Sequence, residues 1–330
     1  MKPKISVLIP AYNAENTILA AVWSSLNQDF NGFEVCVYND GSTDKTRELL
    51  DNISDSRLRV FHRETNQGIA NARNTLVQNT TAPFVAWLDA DDIMLPGRLQ
   101  AQYSFFEERP ETDILGGYAE LRKGGLQGFL VPGGSVVKAA TRPDYLRASM
   151  LFRNPFVQSS VMARNFFVKE NLLFDPAFEY TEDYDLLLRY RQAGKRFGII
   201  PRPVVSYLLS SEVEQKNKET RNDTQAKWEK LLLRNFPFTE KENAGRVVGF
   251  LRSNERLTAE SFEYLVGWLK RAEDFCFAEE TKVTGTKAAL LFQWFRLYRL
   301  RLGLLPAVFW LLFQNPVISV AMLRNRTRIV

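Results

Sequence analysis

The chain has 330 residues, of which 45% are apolar and 25% charged, and its net charge is +5. This composition is typical of a globular protein and argues against a wholly disordered chain. The two cysteines lie far apart without a metal or redox spacing, which favours a reducing compartment. The first residues, MKPKISVLIP, lack a signal-peptide pattern, so we expect a cytoplasmic protein.

The first hundred residues alternate between two hydrophobic periods. Short β-rich runs at 5–9, 34–38, 58–61 and 84–88 are separated by segments with helical spacing. This order predicts an α/β fold with a mostly parallel sheet flanked by helices. Because ligands bind at the carboxyl ends of such strands, the residues that follow each strand are the first candidates for a site.

Polar residues follow three of these four predicted strands. The first strand runs into Pro10, Ala11, Tyr12, Asn13 and Glu15, the second into the segment 39–44, and the fourth into Asp89, Ala90, Asp91 and Asp92. Helix capping is an equally good explanation for Ser42, Thr43 and Asp44. It explains the Asp89 cluster less well, because Pro96 stands where the next helix is expected to begin.

Further along the chain the pattern is less regular. Glycine pairs at 116–117, 124–125 and 133–134 predict hairpins and loops, and RNFFVKEN (164–171) predicts a short helix. A longer helix is expected over 182–194, ending at Gly194, followed by two strands. Beyond residue 214 every predicted element is a helix. We therefore expect a catalytic domain over 1–214 and a helical region over 215–330.

Asp89 and Asp91 point to the same face of an extended chain, with Ala90 turned away. Neighbouring carboxylates repel each other unless a cation lies between them. Mg²⁺ or Mn²⁺ bound to a diphosphate would remove that repulsion, since such ions often take one or two carboxylates together with phosphate and water oxygens. A solvated acidic turn is the alternative.

Five segments occur in one order: SVLIPAYNAENTI, VYNDGSTDKT, NQGIANARN, AWLDADD and TEDYDLLLR. Together they closely resemble the family 2 glycosyltransferases of GT-A fold, over roughly residues 4–210. The resemblance does not extend to 215–330. It implies an inverting, metal-dependent transfer from a nucleotide-diphospho-sugar, with a UDP-sugar as the donor.

The resemblance also implies roles for individual residues. Pro10, Ala11, Tyr12 and Glu15 would surround the nucleotide base, and Asp40 would bind uracil. Asn66, Gly68 and Arg73 would hold the nucleotide. Asp89, next to Ala90, would face the ribose and sugar, and Asp91 would bind the metal. Asp183, paired with Glu182, matches the catalytic base.

An inverting transfer needs a base on the side of the sugar opposite to the leaving diphosphate, which is the role expected of Asp183. Glu182 and Asp183 would otherwise only stabilise the first turn of a helix. Many relatives supply a further metal ligand from a histidine after the last strand, where this chain reads SYLLSSEVEQ. For the one histidine, His62, we expect a surface or loop role and not metal binding. Acceptor contacts are expected from Asn154, Gln158 and Ser159.

The C-terminal part is basic. Residues 1–214 carry 23 Lys and Arg against 26 Asp and Glu, whereas residues 215–330 carry 20 against 12. The apolar stretch 302–323, interrupted by Pro306 and Pro316, predicts helices lying at a membrane surface. A buried helical pair or a homo-oligomer interface is the alternative.

Three other classes fit less well. A nucleic-acid binder would need basic and aromatic residues interleaved along a groove, which the apolar tail lacks. A dinucleotide oxidoreductase would need G-x-G-x-x-G after the first strand, where Pro10–Asn13 stands. A catalytically silent sugar-nucleotide-binding scaffold remains the alternative to a glycosyltransferase. We therefore expect a hexosyl- or N-acetylhexosaminyl-transferase that acts on a glycan or lipid-linked acceptor at the inner face of the cell membrane, in bacterial surface polysaccharide synthesis.

Overall fold

The computed structural model describes residues 2–123, 135–150, 152–209, 221–252, 257–279 and 293. They group into two compact units, one from residues 1–141 and 156–220 and the other from residues 142–155 and 221–330. Residues 142–155 thus group with the second unit, although the sequence placed them before the expected boundary at 214. The assignment of a function to each region stays a prediction.

The first unit is built on a single mixed sheet. In chain order its strands are β1 (Ile5–Ala11), β2 (Phe33–Asp40), β3 (Leu58–Arg63), β4 (Phe84–Trp87), β5 (Ile93–Met94), β6 (Ile114–Lys123), β7 (Val136–Val137), β8 (Met162–Arg164) and β9 (Phe197–Leu209). Their order across the sheet is β3-β2-β1-β4-β8-β6-β9-β5, and β7 pairs with β6. The parallel pairs β3–β2, β2–β1 and β1–β4 confirm the expected parallel half.

Helices lie between the strands of this parallel half, as the alternating periods predict. They are α1 (Ile18–Leu26), α2 (Thr46–Asp51) and α3 (Ile69–Gln78), and a fourth helix, α4 (Arg98–Glu108), lies between β5 and β6. All seven residues of β1 are buried, and the apolar face of α1 packs into the same core. A strand that is apolar along its whole length has to be covered on both faces, which explains the layered arrangement.

The sheet changes direction at β8, which runs antiparallel to β4 and to β6. Gly116 and Gly117 lie inside β6, so the prediction of a hairpin there was wrong. They are required by packing: a Cβ on Gly116 would lie 2.4 Å from a ring carbon of Phe156, and one on Gly117 would lie 2.4 Å from a methyl carbon of Val204. The other two glycine pairs lie outside the described residues.

Two further local expectations were also wrong. The segment RNFFVKEN ends β8 and continues as turns instead of a helix. Helix α4 begins at Arg98, after Gly97 with φ of +72°, and not at Pro96. The expected helix over 182–194 is confirmed as α6 (Glu182–Gln192), which is followed by Gly194 with φ of +77°.

The described elements of the second unit are helical, as expected. They are α5 (Pro143–Ser149), α7 (Arg221–Asn235), α8 (Ala244–Arg252) and α9 (Ala259–Glu279). Trp268 is fully buried at the centre of their core, 5.2 Å from Phe236 between ring centroids, and its indole N–H donates to Thr239 Oγ1 at 2.9 Å. Burying a large aromatic with its polar atom satisfied stabilises this core.

Among the described residues, no helix is both long enough and apolar enough to cross a membrane. The stretch 302–323 and its flanking arginines lie outside the described residues.

Candidate active site

The carboxyl ends of β1, β2 and β4 meet at one edge of the sheet. β1 is the neighbour of both other strands, with Ala11 paired to Asn39 and Leu8 paired to Trp87. The three segments that follow these strands therefore lie side by side. This adjacency brings together the motifs that the sequence holds about 30 and 50 residues apart.

A cavity of about 230 Å³ opens at this edge. Six of the expected nucleotide-binding residues line it: Pro10, Ala11, Tyr12, Asp40, Asn66 and Gly68. Ile69, Ala72, Glu179 and Tyr180 complete the lining and were not expected. Tyr12 and Tyr180 are 47% and 46% exposed. Two accessible phenol rings beside a buried carboxylate suit a planar, hydrogen-bonding ligand such as a nucleobase.

Asp40 is buried at the base of this cavity. Its carboxylate accepts hydrogen bonds from the backbone N–H of Gln67, at 3.0 Å, and of Gly68, at 2.9 Å. These contacts join the end of β2 to the start of α3 and fix the loop between β3 and α3. Gly41 permits this approach, because it has φ of +72° and a Cβ there would lie 2.6 Å from the Thr65 carbonyl carbon.

Glu15 does not line this cavity. Its Oε2 accepts from the backbone N–H of Lys45 at 3.0 Å, and its own N–H donates to Asp44 Oδ2 at 3.0 Å. Asp44 Oδ1 accepts from the N–H of Thr46, the first residue of α2. The structure therefore places Glu15 between the two loops, and Asp44 has the capping role that the sequence left open.

Arg73 connects the separate motifs. It lies on α3 with 4% exposure, and its two Nη atoms donate to Asp89 Oδ1 at 2.9 Å and to Glu182 Oε1 at 2.7 Å. Burial opposes its charge, but Asp89, Glu182 and Asp183 together outweigh that effect and raise its pKa. The guanidinium thus positions carboxylates from two elements, which supports an indirect role in nucleotide binding.

The turn after β4 is fixed from several sides. The N–H of Asp89 donates to Ser159 Oγ at 3.0 Å, and the carbonyl of Asp91 accepts from Arg122 Nη2 at 3.0 Å. Asp92 is buried and accepts from the N–H of Leu208 at 2.9 Å, while Ala90 is buried in the core. Only the side chains of Asp89 and Asp91 in this turn are left partly exposed.

Three carboxyl groups of the site have raised pKa values, those of Asp91, Asp92 and Asp183. Burial, and then the charge of Asp89, raise the pKa of Asp91 to about 6. Burial, and then Glu182, raise the pKa of Asp183 to about 6, although Arg73 opposes the shift. Raised values of this kind indicate negative charge that the protein does not fully neutralise, and they cluster at functional sites.

Tyr207 on β9 is a site residue that the sequence did not reveal. Burial raises the pKa of its phenol, and the charges of Asp92, Asp89, Asp91 and Asp183 raise it further. The phenol is therefore protonated at neutral pH and lies within the field of all four carboxylates. No motif marks Tyr207, since β9 reaches the site through its pairing with β6.

Asp183 lies in the first turn of α6, next to the buried Glu182. Its Oδ1 accepts from the N–H of Tyr184 at 2.7 Å, which orients the carboxylate. Negative charge at a helix N-terminus is stabilised by the helix dipole. A carboxyl group with a pKa near 6 in such a place can accept a proton at neutral pH.

In the part of the chain that the structure describes, no three His, Cys, Asp or Glu side chains converge as a metal site. His62 lies in β3, where it is hydrogen-bonded to Asn39 and to Asp51. The carboxylates of Asp89 and Asp91 nevertheless suit a hard cation that takes few protein ligands and completes its shell with phosphate and water. The uncompensated charge on Asp91 fits such an ion.

The three expected acceptor residues have different surroundings. Ser159 is fully buried, and its hydroxyl supports Asp89. Gln158 lines a small cavity together with Asp183. Asn154 groups with the second unit. That placement leaves Gln158 as the acceptor candidate within the first unit.

Comparisons with known proteins identify the family to which the chain is similar. The model of the Glycosyl transferase family 2 matches residues 6–158. A glycosyltransferase of Haemophilus influenzae is 33% identical over 188 residues, which is 56% of this chain and 71% of that protein. The Escherichia coli protein WfgD, a UDP-Glc:alpha-D-GlcNAc-diphosphoundecaprenol beta-1,3-glucosyltransferase, is 35% identical over 129 residues. That match covers 39% of this chain and about half, 51%, of WfgD.

Among solved structures, S. aureus TarS 1–349 in complex with UDP-GlcNAc resembles this fold with a TM-score of 0.57 at 19% identity. The likeness covers 91% of this chain and 81% of that one. It shows a shared GT-A fold. Because the family model, the Haemophilus relative and the fold agree, the chain belongs to the family 2 glycosyltransferases.

Proposed function

We propose that this glycosyltransferase is inverting and metal-dependent, and that it transfers a hexosyl or N-acetylhexosaminyl group from a UDP-sugar to a glycan or lipid-linked acceptor. WfgD uses a UDP-sugar and a diphosphoundecaprenol-linked acceptor, and it is similar to this chain over 129 residues. Bacterial surface polysaccharide synthesis is the setting that this likeness favours.

The nucleoside of the donor would occupy the cavity between Tyr12 and Tyr180. Asp40 is positioned to bind the base edge, because its carboxylate lies in the lining and is fixed by Gln67 and Gly68. A base held between aromatic rings gains stacking energy and excludes water. This placement directs the diphosphate and sugar toward the turn after β4.

A divalent cation, Mn²⁺ or Mg²⁺, would be held by Asp91 with the support of Asp89. When bound, it offsets the charge that develops on the departing diphosphate. The conformation of this turn is stabilised by three buried residues, Asp92, Arg98 and Ser159. Arg98 is fully buried and donates to the carbonyl oxygens of Trp87, at 3.0 Å, and of Ser159.

Asp183 would act as the general base. The acceptor hydroxyl loses its proton to the Asp183 carboxylate while its oxygen forms a bond to the anomeric carbon. The bond from that carbon to the diphosphate oxygen breaks, and UDP leaves with the electron pair. Attack from the face opposite to the leaving group inverts the anomeric configuration.

The observation that carries this proposal is the pair of ion pairs of Arg73. One guanidinium holds Asp89 of the donor turn at 2.9 Å and Glu182, next to Asp183, at 2.7 Å. A metal-binding turn and a base that are fixed to each other through a single buried residue suit one reaction centre. A scaffold protein that only bound nucleotides would not need this connection.

The deciding experiment incubates the full chain with a panel of UDP-sugars and Mn²⁺, with and without lipid-diphosphate-linked acceptors, and measures UDP release and product. We expect transfer with one donor. Asp183→Asn should lower kcat by about 100-fold or more, since general bases contribute about 10²- to 10⁴-fold. Asp29→Asn, at an exposed aspartate outside the site, is the control.

Full activity of Asp183→Asn would contradict the assignment of the base. UDP binding without transfer from any donor would favour the sugar-nucleotide-binding scaffold.

The remaining elements of the proposal are a catalytic role for 1–214 and membrane association or oligomerisation through 215–330. Membrane association would place the protein at the inner face of the cell membrane, and no role for nucleic acid is proposed.

A further inference from the structure

Arg122, near the end of β6, is a buried residue whose side chain has unused hydrogen-bond donors. It is 4% exposed, and its Nη2 donates to the carbonyl oxygen of Asp91 at 3.0 Å. Its Nε and Nη1 are also buried, but within the described ranges neither has a hydrogen-bond acceptor. A guanidinium keeps its charge at all relevant pH values and carries five N–H donors. Leaving two of its nitrogen atoms without acceptors is unfavourable.

The other two buried arginines of the site have their Nη groups in use. Those of Arg73 form ion pairs with Asp89 and Glu182. Arg98 donates through both Nη atoms to backbone carbonyls and through Nε to Gln102 at 2.8 Å. Arg73 likewise has no acceptor for its Nε among the described residues, so Arg122 is distinguished by having an unused Nη1 group in addition to an unused Nε. A chain retains such a group most readily if a ligand satisfies it.

The position of Arg122 limits the chemistry of that ligand. Its charge acts on the carboxylate of Asp91, the residue assigned to the metal. It also lies opposite Leu208 in the β6–β9 pair, and the N–H of Leu208 holds Asp92. A ligand that reaches Arg122 thus approaches the same turn as the donor. A diphosphate brings several oxygen acceptors whose spacing suits a planar guanidinium.

We propose that Arg122 binds the diphosphate of the donor nucleotide. The inference rests on the proposed function, since it presupposes a nucleoside diphosphate at this turn. Arg122 supplies a fixed positive charge beside a cation that has few protein ligands, and so shares the neutralisation of the leaving group. Because Nε and Nη1 are covered in the free protein, the Arg122 side chain changes rotamer when the nucleotide binds.

The test compares two ligands that differ only in the diphosphate. Isothermal titration calorimetry measures the affinities of uridine and of UDP, each with Mn²⁺, for the full-length wild type and for Arg122→Met and Arg122→Lys. Arg122→Met should weaken UDP binding by about 10- to 100-fold and leave uridine binding unchanged, as expected for the loss of charge-assisted hydrogen bonds. Arg122→Lys keeps the charge without the planar fork, so its effect should be intermediate.

Arg202→Met is the matched control. Arg202 lies on β9 and, like Arg122, donates through Nη2 to a backbone carbonyl, that of Gly97 at 2.9 Å, but it is exposed. Its loss should leave both affinities unchanged. An equal loss of uridine and UDP affinity in the Arg122 variants would indicate a structural role and overturn the inference alone, as would unchanged UDP affinity. Absence of UDP binding by the wild type would overturn the proposed function and the inference with it.

Discussion

Asp183 and Asp91 both have pKa values of about 6, and this has a consequence for the pH dependence of the reaction. In the proposed reaction each carboxyl group must be ionised to act, Asp183 as the base and Asp91 as the metal ligand, and each is protonated below pH 6. In the free enzyme kcat/KM should therefore fall with acid below about pH 6, approaching two decades per pH unit. A bound cation keeps Asp91 ionised, so kcat should fall more gently, by one decade per unit.

Initial rates at saturating and limiting donor between pH 4.5 and 8.5 check this expectation. Rates with a donor and acceptor that do not titrate in this range are compared at constant ionic strength. In Asp183→Asn the acid limb assigned to the base should disappear from kcat. A kcat that stays constant down to pH 4.5 in the wild type would contradict the role of Asp183.

The metal assignment leads to a second prediction at this scale. The wild type should bind UDP more tightly with Mn²⁺ than with a chelator, whereas Asp91→Asn should bind UDP equally in both conditions. The variant lacks the Asp91 carboxylate, whose negative charge the neighbouring groups do not fully neutralise. Fluorescence or calorimetric titrations measure these affinities. Equal wild-type affinity with and without Mn²⁺ would argue against Asp91 as a ligand.

Asp92→Asn is the matched control, one residue away. Its carboxylate accepts from Leu208 and is buried, and burial together with Asp91 and Asp89 raises its pKa well above the usual range. An amide oxygen can accept the same hydrogen bond. The control should therefore keep the Mn²⁺ dependence, which would separate metal binding by Asp91 from the general effect of replacing an aspartate in this turn.

At the scale of elements, the parallel half of the sheet could be predicted because its strands are short runs rich in apolar residues, and three of the four are followed by polar residues. The resemblance to the family 2 glycosyltransferases supplied the six expected residues that line the cavity at this edge of the sheet. The prediction failed for β6, because Gly116 and Gly117 resemble a turn locally and are explained only by the side chains that pack on them. Arg122 was missed together with β6, whereas Tyr207 was missed although strands were expected in its segment, since long-range pairing, and no motif, brings β6 and β9 to the site.

Gly41 provides a test of how the loops support the site. Replacing it with alanine should impose both an unfavourable positive φ, about 1–2 kcal/mol, and a collision with the backbone at Thr65 and Asn66. We expect the free energy of unfolding to fall by more than about 2 kcal/mol in urea titrations. The displaced residues immediately precede the N–H groups that hold Asp40, so KM for the donor should also rise.

Gly194→Ala separates the two causes. Gly194 has φ of +77°, but a Cβ there would meet nothing within 4 Å. Gly194→Ala should lower the free energy of unfolding only by the conformational cost of the positive φ, about 1–2 kcal/mol, and should keep the wild-type KM for the donor. Equal losses in the two variants would show that the contact at Thr65 contributes nothing.

At the scale of the whole molecule, charge distinguishes the two regions of the sequence. The first 214 residues are slightly acidic, and the last 116 carry an excess of eight positive charges. No acidic residue follows Glu280, although eight Lys and Arg do. A lipid-linked substrate would explain this charge distribution. The basic C-terminal region would hold the enzyme at the anionic membrane surface, where a lipid-linked acceptor is embedded.

The full-length chain should therefore bind vesicles that contain anionic lipid, and the bound fraction should fall with added salt. Replacing Arg324, Arg326 and Arg328 with Gln should weaken this partitioning by roughly 100-fold, since each basic residue near such a surface contributes about 1 kcal/mol. Vesicle co-sedimentation measures this partitioning.

The matched control replaces three exposed basic residues of the first unit, Lys2, Lys169 and Arg196, and should bind as the wild type does. An equal loss in both variants would point to net charge alone, and unchanged binding in the arginine variant would favour a buried or oligomeric role for the C-terminal region.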